Sequence, residues 1–307
     1  MVIVDKEKIV SSFNEAKALD EIRRAFIKFS AGRADVAAVG HFNFADPPGD
    51  CHIKSARIDR DPIFVVKIAS SFYANPQRGL SSSQGMMLIF SAVTGETLAI
   101  LNDGGFLTDQ RTALAGVLAA QAIVRPGSKI LGIVGTGIQA RLQANALARH
   151  LGFEKILVWG RNPGAARALA ADLGGEFSEL ADLARTADLI VTTTPSMEPL
   201  IKSSWISAGA RIVAVGADSP GKRELEPEIL ARAKVVTDAR AQCLHHGETS
   251  WAVNAGILDP DALLDLGALL ENKSTFASNE IVVVDLTGVA IQDVAIANHI
   301  WNQMNAA

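Results

Sequence analysis

The chain has 307 residues, of which 49% are hydrophobic and 20% are charged, and its formal net charge is −4. This length and composition predict a globular protein with one large or two ordinary domains, and the lack of a basic block argues against nucleic acid or an anionic membrane as a partner. Cys51 and Cys243 lie outside any Cys-x-x-Cys pair, which argues against a thiolate zinc site and for a reducing compartment.

The first third of the chain predicts a small, mainly antiparallel sheet with a helix. Apolar residues from Ile9 to Phe29 recur at helical spacing, and Ala31-Gly32-Arg33 ends the helix. The pattern loosens from Val36 to Asp50, where Pro47-Pro48-Gly49-Asp50 predicts a turn. The strand-like runs that follow are Cys51 to Ile58, Ile63 to Ser70, Met86 to Phe90 and Thr97 to Leu101. The long polar loop from Ser71 to Gly85 is typical of a functional or mobile segment.

The rest of the chain predicts a doubly wound parallel sheet. A helix from Leu107 to Val124, with Thr108 as its N-cap, is ended by Pro126-Gly127. From Lys129 onward strands alternate with helices, as in a Rossmann-type α/β fold. The last helix, from Asp293 to Asn305, is expected to return to the front domain. We therefore place the front domain at residues 1–112 with 290–307, and a dinucleotide-binding domain at residues 113–289.

A glycine turn at the start of the second domain predicts a dinucleotide site. The apolar run from Lys129 to Val134 enters the sequence Gly135-Thr136-Gly137-Ile138-Gln139-Ala140, and a segment of helix formers follows. Gly135 permits the turn, Gly137 lets the backbone approach a pyrophosphate, and the small Ala140 lets the helix pack on the strand. The phosphates would sit on free N–H groups at the positive end of the helix dipole.

The next strand, Lys155 to Trp159, ends in Gly160-Arg161 rather than in an acid. An acidic residue there would bind the ribose hydroxyls of NAD, whereas an arginine suits the 2′-phosphate of NADP. We therefore predict NAD(P)(H) as the cofactor, and Arg161 favours NADP(H) over NAD(H). The alternative is that the Arg161 side chain is solvated and does not contact the cofactor.

Two later strand ends carry candidate residues. Thr193, in Thr192-Thr193-Thr194, either contacts the cofactor ribose or nicotinamide or simply belongs to a capped strand end. Asp218 lies between Gly216 and Pro220-Gly221, where rigid turns suit a general acid–base. The alternative, which is the simpler one for Asp218 considered alone, is that its side chain caps a helix through Leu225.

Two basic residues of the front domain suggest a carboxylate-binding site. Lys67 lies among apolar and β-branched residues, so it either points outward at a sheet edge or is partly buried. Burial would lower its pKa and suit it to proton transfer or to binding a carboxylate. Arg111 lies near a helix start, where the dipole disfavours a cation, so we expect it to be free to bind an anion.

At this point the chain resembles the ornithine cyclodeaminase/mu-crystallin family over nearly its full length. The matching motifs in the front domain are Val66-Lys67-Ile68, Asn75-Pro76, Gly79-Leu80, Thr94-Gly95, Leu107-Thr108 and Arg111-Thr112-Ala113. Those that follow are the Gly135 to Ala140 turn, the run from Gly216 to Leu225, and Asp285-Leu286-Thr287-Gly288.

The resemblance implies a Rossmann domain paired with a discontinuous α+β domain that binds substrate and forms a homodimer. It implies that Lys67 and Arg111 bind the substrate carboxylate, that Asp218 is the catalytic acid–base, and that Ser82 and Thr112 contact cofactor phosphate or substrate. Cyclodeaminases and alanine dehydrogenases of the family carry the acid at the Asp218 position, whereas mu-crystallin does not.

One departure from the family pattern concerns the substrate. Family members usually carry a substrate-binding arginine in the segment that here contains His41, and this segment has none. Lys54 appears on the next strand, where the family more often has apolar residues. With His41 it is a candidate for substrate binding, and a Lys54 that faces the site would favour a dicarboxylic imino acid over ornithine. The alternative is that Lys54 faces solvent.

We therefore expect an NAD(P)H-dependent imine reductase or amino-acid dehydrogenase with a small 2-imino or 2-amino acid as substrate. The alternatives are a redox-neutral cyclodeaminase that uses catalytic NAD+, or a cofactor-dependent ligand-binding protein. His245, His246 and Glu248 make no convincing metal set and are interpreted as a surface or rim segment. Charge comes too early at the N-terminus for a secretory signal, and the longest uncharged run is shorter than the ~20 residues of a membrane helix, so a cytoplasmic protein without a membrane partner is expected.

Overall fold

The structure is a computed structural model that describes residues 1–273 and 275–305. The chain forms two compact units, namely unit 1 (Met1–Thr112 with Ala290–Ala307) and unit 2 (Ala113–Val289). The strands are β1 (Val2–Asp5), β2 (Ala34–Val36), β3 (Gly40–Ala45), β4 (Pro48–Ile58), β5 (Ile63–Phe72), β6 (Ser83–Ser91), β7 (Thr97–Asn102), β8 (Ile130–Val134), β9 (Lys155–Trp159), β10 (Glu176–Phe177), β11 (Leu189–Thr192), β12 (Arg211–Ala214), β13 (Ala233–Thr237), β14 (Leu264–Asp265) and β15 (Ile281–Asp285). The helices are α1 (Lys6–Ser12), α2 (Glu15–Ser30), α3 (Phe106–Ile123), α4 (Ile138–Leu151), α5 (Pro163–Asp172), α6 (Leu180–Thr186), α7 (Pro227–Ala231), α8 (Arg240–His245), α9 (Glu248–Asn254), α10 (Leu266–Asn272) and α11 (Ile291–Asn305).

Unit 1 is built on a sheet in the order β1-β7-β6-β5-β4-β2, with β3 paired to β4. β1 and β7 are parallel, and the other pairs are antiparallel. The helices α2 and α11 pack on each other and against this sheet. Successive residues of a strand point to opposite faces. We call the face that carries Lys54 and Lys67, which α11 covers, the inner face, and the face that carries Phe64, Ile68 and Met86 the outer face.

The start of unit 1 contains two helices where the sequence predicted one. Asn14 separates α1 from α2 because its backbone is extended and its side chain accepts a hydrogen bond from Lys17 N at 3.0 Å. Asparagine is among the best N-cap residues, so the chain restarts a helix there rather than continuing the first one.

The segment after the first helices is more regular than predicted. The turn is confined to Asp46 and Pro47, and β3 and β4 form a hairpin around it. The alternation of Phe42 and Phe44 with His41 and Asn43 is typical of a strand. The predicted loop from Ser71 to Gly85 is shortened because β5 and β6 remain paired as far as Ser71 and Ser83.

The predicted N-cap of α3 is wrong by several residues. The helix begins at Phe106, so Thr108 lies inside it and only its carbonyl accepts a hydrogen bond, from Thr112. The cap is Asp103, whose Oδ2 accepts a hydrogen bond from Leu107 N at 2.6 Å. Aspartate is a strong helix cap, and here it reaches Leu107 across two glycines that precede the helix.

Unit 2 is built on a parallel sheet with the strand order β10-β9-β8-β11-β12-β15-β13-β14. The chain moves from β8 to one side through α4 and returns to the other side at β11, which places the topological switch point beside β8. Its core is made of the apolar faces of these strands, for example Ile190, Ile212 and Val283. This architecture confirms the predicted Rossmann fold class. None of the helices in the described ranges is long and apolar enough to span a membrane.

Candidate functional site

The glycine turn has the geometry that a pyrophosphate requires. Gly135 has a φ of 131°, a value that favours glycine, and a Cβ there would lie 2.4 Å from Thr193 Oγ1. Gly137 is the N-cap of the 14-residue α4 and makes no side-chain cap bond. A Cβ on Gly137 would meet none of the described atoms within 4 Å. Open space beside Gly137 and uncapped N–H groups at a helix start fit a dinucleotide phosphate.

The rest of the turn is fixed against β9. Gly135 N donates to Trp159 O at 2.8 Å, and a Cβ on Gly160 would lie 2.4 Å from Thr136 Cγ2. Ala140 is fully buried, which agrees with its expected role in helix–strand packing. Ile138 and Gln139 form the first turn of α4, where the exposed Ile138 is 43% accessible.

Arg161 is exposed on the turn that follows β9, beside Asn162, whose side chain caps α5. Its position at the strand tip is the one at which the fold distinguishes NAD from NADP. Thr193 donates through Oγ1 to Val134 O at 3.2 Å, so its hydroxyl lies against the end of β8. Contacts of both residues with a cofactor stay predictions.

Ser82 and Thr112 belong to unit 1. Ser82 O accepts a hydrogen bond from Phe72 N at 2.9 Å, just before β6, and Thr112 Oγ1 donates to Thr108 O at 2.8 Å within α3. Their predicted contacts with cofactor phosphate or substrate are not tested by this geometry.

Lys67 lies in the middle of the sheet and is 1% exposed, so it does not point outward from a sheet edge. Its Nζ lies 3.0 and 2.9 Å from the two carboxylate oxygens of Asp293, on α11. Arg111 is also buried, with Nε 3.0 Å from the same carboxylate and Nη1 donating to Gln292 Oε1 at 3.0 Å. The expectation of an entirely free Arg111 guanidinium is therefore wrong, because α11 supplies two partners from a distant part of the sequence.

Burial has opposite consequences for the two charges of this cluster. It lowers the pKa of Lys67, which the nearby Arg111 lowers further, to about 7, although Asp293 acts in the opposite direction. For Asp293, burial alone would raise the pKa, but Lys67 and Arg111 outweigh it and hold the pKa below its ordinary value. A lysine poised near neutrality can bind an anion or exchange a proton.

Lys54 faces the inner side of the sheet rather than solvent. It lies directly opposite Lys67 in the β4–β5 pair and is 5% exposed. His41 lies opposite His52 in the β3–β4 pair, and their ring centroids are 4.5 Å apart. Because His52 and Lys54 are two residues apart on one strand, the histidine pair lies on the same face, about 7 Å further along it.

Asp218 does not cap a helix, because the described residues from 219 to 225 form none. Its Oδ1 lies 2.7 Å from Lys222 Nζ, and Ser219 Oγ lies 3.3 Å from the same oxygen. The helix-cap alternative is therefore wrong, and a half-exposed carboxylate with a cationic partner is what a general acid–base in this loop would need.

Sequence reasoning missed the acids that hold these groups in place. Asp293 was noted only as a helix start, although a charged residue inside a buried apolar helix is a signal for an ion pair. The sequence shows Glu224 only as part of a motif, yet it is fully buried and accepts hydrogen bonds from Thr194 N, after β11, and from Gly216 N, after β12.

The interpretation of His245, His246 and Glu248 as a surface or rim segment fits His245, which is exposed, but is wrong for the other two residues. Glu248 is 1% exposed, and its carboxylate accepts hydrogen bonds from the backbone N–H groups of Glu224 and Leu225. His246 is buried as well. In the part of the chain that the structure describes, no group of three or more His, Cys, Asp and Glu side chains is arranged to hold a metal ion.

Comparison with known sequences gives a match along the whole chain. The model of the ornithine cyclodeaminase/mu-crystallin family matches residues 1–307. An alanine dehydrogenase of Archaeoglobus fulgidus is 32% identical over 307 residues, covering 98% of this chain and 94% of that protein. An iminosuccinate reductase of Paracoccus denitrificans is 35% identical over 236 residues, covering 75% of this chain and 73% of that protein.

Solved structures share the fold of the whole chain. A Δ1-pyrroline-2-carboxylate reductase of Thermococcus litoralis, in complex with NADH and L-proline, matches with a TM-score of 0.91 and 25% identity, covering 100% of this chain and 98% of that one. An archaeal alanine dehydrogenase dimer with bound NAD matches with a TM-score of 0.90 and 31% identity, covering 99% and 96%.

Proposed function

This chain belongs to the ornithine cyclodeaminase/mu-crystallin family, and on that premise we propose that it is an NAD(P)H-dependent imine reductase or amino-acid dehydrogenase acting on a small 2-imino or 2-amino acid. In reaction class it is an NAD(P)-dependent oxidoreductase, like its relatives named as dehydrogenases and reductases. The observation that carries the proposal is the fully buried Lys67, which shares the carboxylate of Asp293 with Arg111.

The proposed role of Lys67 and Arg111 is to bind the substrate carboxylate. Lys67 and Arg111 carry two positive charges and share the single negative charge of Asp293. Because buried charges need compensation, this pair of cations has the capacity to bind a second anion. Arg111 offers a planar fork of donors, and Lys67 offers a point charge. A 2-imino acid held by its carboxylate would have its reacting carbon one bond away, in a fixed orientation.

Asp218 is proposed to manage the proton on the substrate nitrogen. Reduction adds a hydride to the imine carbon and a proton to the nitrogen, so the C=N bond becomes CH–NH. The bound nicotinamide supplies the hydride. Lys222, 2.7 Å from Asp218 Oδ1, stabilises the carboxylate after it has given up its proton. Positioned acid–base groups of this kind contribute about 10²–10⁴ in rate.

For the cofactor we propose that the turn from Gly135 to Gln139 holds the pyrophosphate and that Thr193 lies near the ribose. The support is the open space beside Gly137 and the uncapped start of α4. We propose a preference for NADP(H), which Arg161 supports because it is exposed at the tip of β9, where no acid is available for a ribose hydroxyl.

We further propose that the substrate carries a second carboxylate. Lys54 supports this, because it is buried on the inner face directly opposite Lys67. Residues opposite each other in an antiparallel pair have Cβ atoms about 5 Å apart, which suits two cations that bind the two ends of a C4 dicarboxylic acid. His41, whose Nε2 is buried without a hydrogen-bond partner among the described residues, would donate to the same end of the substrate.

The proposal is tested by nicotinamide absorbance with the purified protein. NADH and NADPH are each combined with 2-oxo acids plus ammonia or methylamine, with cyclic imines, and with oxaloacetate plus ammonia. Steady oxidation with one imine is expected, with NADPH the better donor. A flat trace in which ornithine and catalytic NAD+ yield proline would establish a cyclodeaminase instead, and bound cofactor without any turnover would establish a binding protein.

The dicarboxylic substrate is tested with Lys54→Ala. The expected result is a loss of at least about tenfold in kcat/KM for the acidic imine relative to a neutral one, the effect of about 1.4 kcal/mol of lost transition-state binding. The matched control is Arg57→Ala, since Arg57 lies on the same strand but is exposed and pairs with Asp35. An unchanged preference between the two substrates in Lys54→Ala would show that the lysine does not select the second carboxylate.

We also propose that the protein is a homodimer that uses the outer face of the unit 1 sheet. This face carries a stacked aromatic pair, Phe64 and Phe90, with ring centroids 4.9 Å apart, and partly exposed Ile68 and Met86. A continuous apolar sheet face of this kind is typical of a protein–protein interface.

A further inference from the structure

The carboxylate of Glu224 is buried among the loops of unit 2 and is fully hydrogen-bonded. It is 0% exposed and accepts four hydrogen bonds. Oε1 accepts from Thr194 N at 2.6 Å and from Thr194 Oγ1 at 2.7 Å. Oε2 accepts from Thr192 Oγ1 at 2.7 Å and from Gly216 N at 2.9 Å. These bonds occupy the acceptor capacity of an ionised carboxylate.

The backbone of Glu224 is fixed as firmly as its side chain. Its N–H donates to Glu248 Oε1 at 2.6 Å, and its carbonyl accepts from Leu200 N at 2.7 Å and Ile201 N at 2.9 Å. Glu224 therefore has little freedom to move, and the groups that its carboxylate holds are placed by it rather than the reverse.

The four bonds join two loops at the carboxyl edge of the parallel sheet. One is the loop that follows β11, whose last residue is Thr192, and this loop contains Thr194 and Thr193, the residue proposed to lie near the cofactor ribose. The other follows β12 and leads from Gly216 to Asp218. A Cβ on Gly216 would lie 2.2 Å from Thr194 O and 2.6 Å from Glu224 Oε2, so the two loops and the carboxylate are in close contact.

We infer that Glu224 is the positioning residue for the acid–base loop, and that its ionised carboxylate sets the place of Asp218 by holding Gly216 against Thr194. This inference rests on the proposed function for the role of Asp218 and extends it to a residue that touches neither substrate nor cofactor. Gly216 is only two residues from Asp218, so a displacement of the Gly216 N–H is passed directly to the Asp218 backbone.

Only the ionised form can accept all four hydrogen bonds. Two of the four donors, Gly216 N and Thr194 N, are backbone groups that can only donate. A protonated Oε2 would have to reverse the bond with Thr192 or release Gly216 N. Burial raises the pKa of Glu224 to about 7, against the effect of its hydrogen bonds. Other charged groups around this network are Glu248, which bonds Glu224 N and is affected by Asp285, and the Lys222–Asp218 pair on the loop.

The test is Glu224→Gln in the full-length protein, assayed with the imine that the absorbance panel identifies. In either orientation the amide NH2 faces one threonine hydroxyl, which can accept, and one backbone N–H, which cannot. The N–H of Gly216 or of Thr194 therefore loses its partner. We expect kcat to fall by at least about tenfold while KM for the substrate, whose carboxylate Lys67 and Arg111 would hold, changes much less. The limb of the kcat–pH profile that reports Glu224 ionisation should be absent from the variant.

The matched control is Glu226→Gln. This carboxylate accepts a hydrogen bond from Ser203 N, whereas the described Gly216 and Thr194 donate to Glu224 instead. It should keep kcat and the wild-type pH profile. Thr192→Val removes a single hydroxyl bond to Oε2 while leaving the Glu224 charge in place, so a smaller loss of kcat in the same direction is expected.

A second readout separates this inference from the proposed function. Hydrogen–deuterium exchange of the segment 216–223 should be faster in Glu224→Gln and unchanged in Glu226→Gln, whether or not the wild-type protein reduces an imine. Unchanged exchange and unchanged kcat in Glu224→Gln would overturn the inference. If Glu224→Gln does not fold, Thr192→Val decides it, and wild-type exchange in that variant would also overturn it. Inactivity of the wild-type protein with every imine would refute the proposed function alone.

Discussion

At the scale of single residues, the main feature of unit 1 is the buried ammonium group of Lys67, which needs a carboxylate beside it. A buried ammonium is strongly unfavourable unless it is paired, and Asp293 provides the pairing carboxylate for both Lys67 and Arg111. The same burial keeps the lysine pKa near neutrality. The side chain that depends on this buried ion pair is also the one proposed to bind a substrate anion.

This arrangement predicts a large effect of Asp293→Asn. Removing the shared carboxylate leaves two buried cations uncompensated, so we expect the free energy of unfolding to fall by about 3–5 kcal/mol. It should also lower the pKa of Lys67 further, because Asp293 is a group that raises it. Urea unfolding followed by circular dichroism measures the first effect.

The control for that measurement is Asp261→Asn, whose side chain is 86% exposed and pairs with Arg240 at the surface. Exposed ion pairs contribute less than about 1 kcal/mol, so its unfolding curve should stay close to that of the wild-type protein. Equal losses in the two variants would mean that the buried cluster does not depend on Asp293.

At the scale of elements, strand register decides which side chains share a face of the unit 1 sheet. The β4–β5 register places Lys54 opposite Lys67 on the inner face, while their strand neighbours Ile53 and Ile68 lie opposite each other on the outer face. A slip of one residue would exchange the two faces completely. The register thus places the two buried lysines of the proposed substrate site on one face and an apolar surface on the other.

The outer face gives an element-scale prediction about assembly. The wild-type protein should have about twice the 32.4 kDa mass of the chain in light scattering, and Ile68→Glu should yield monomers, because it places a charge in an apolar interface. Val93→Glu, at a hairpin position that is 85% exposed, is the control and should leave the mass unchanged. A wild-type mass of 32.4 kDa would refute the homodimer.

At the scale of the whole molecule, both units bury groups whose pKa lies far from its ordinary value. In unit 2, burial raises the pKa of Glu224 and of Asp285 to about 7. In unit 1, burial lowers the pKa of Lys67 to about 7. The carboxyl groups bind a proton more tightly in the folded chain than in the unfolded one, and the lysine binds it less tightly.

The sign of each shift predicts how stability depends on pH. The stabilising contribution of Glu224 and Asp285 is complete below their unfolded pKa values of 4.5 and 3.8, and it is lost as the pH rises through 7. The unfavourable contribution of Lys67 is relieved only as the pH rises from 7 toward 10.5. We therefore expect the summed contribution of Glu224, Asp285 and Lys67 to the free energy of unfolding to be smallest near neutral pH.

The prediction is checked by urea unfolding between pH 4 and pH 10. Glu224→Gln cannot titrate, so its unfolding free energy should fall less steeply with pH between about 4.5 and 7 than that of the wild-type protein, by at most about 1.4 kcal/mol per pH unit. Parallel curves for the two proteins over that range would show that Glu224 does not change its ionisation there.

The sequence by itself determined the Rossmann fold class, the glycine turn and the positions of the main strands along the chain. These features depend on local rules, namely alternating or continuous apolar runs and the backbone freedom that Gly135 needs at its positive φ. The same rules singled out Lys67 as a lysine among apolar and β-branched residues. For Asp218 taken alone they favoured a helix cap, which the structure does not contain.

The tertiary structure decided what those residues contact. The partner of Lys67 is Asp293, 226 positions away, and the loop that carries Asp218 is held by a buried glutamate that contacts Thr192, 32 positions away. The inward orientation of Lys54 likewise depends on the β4–β5 register. The capping role of Asp103 depends on where α3 begins. Local patterns specify elements, whereas the pairing of buried charges depends on which elements meet, and only the folded chain brings them together.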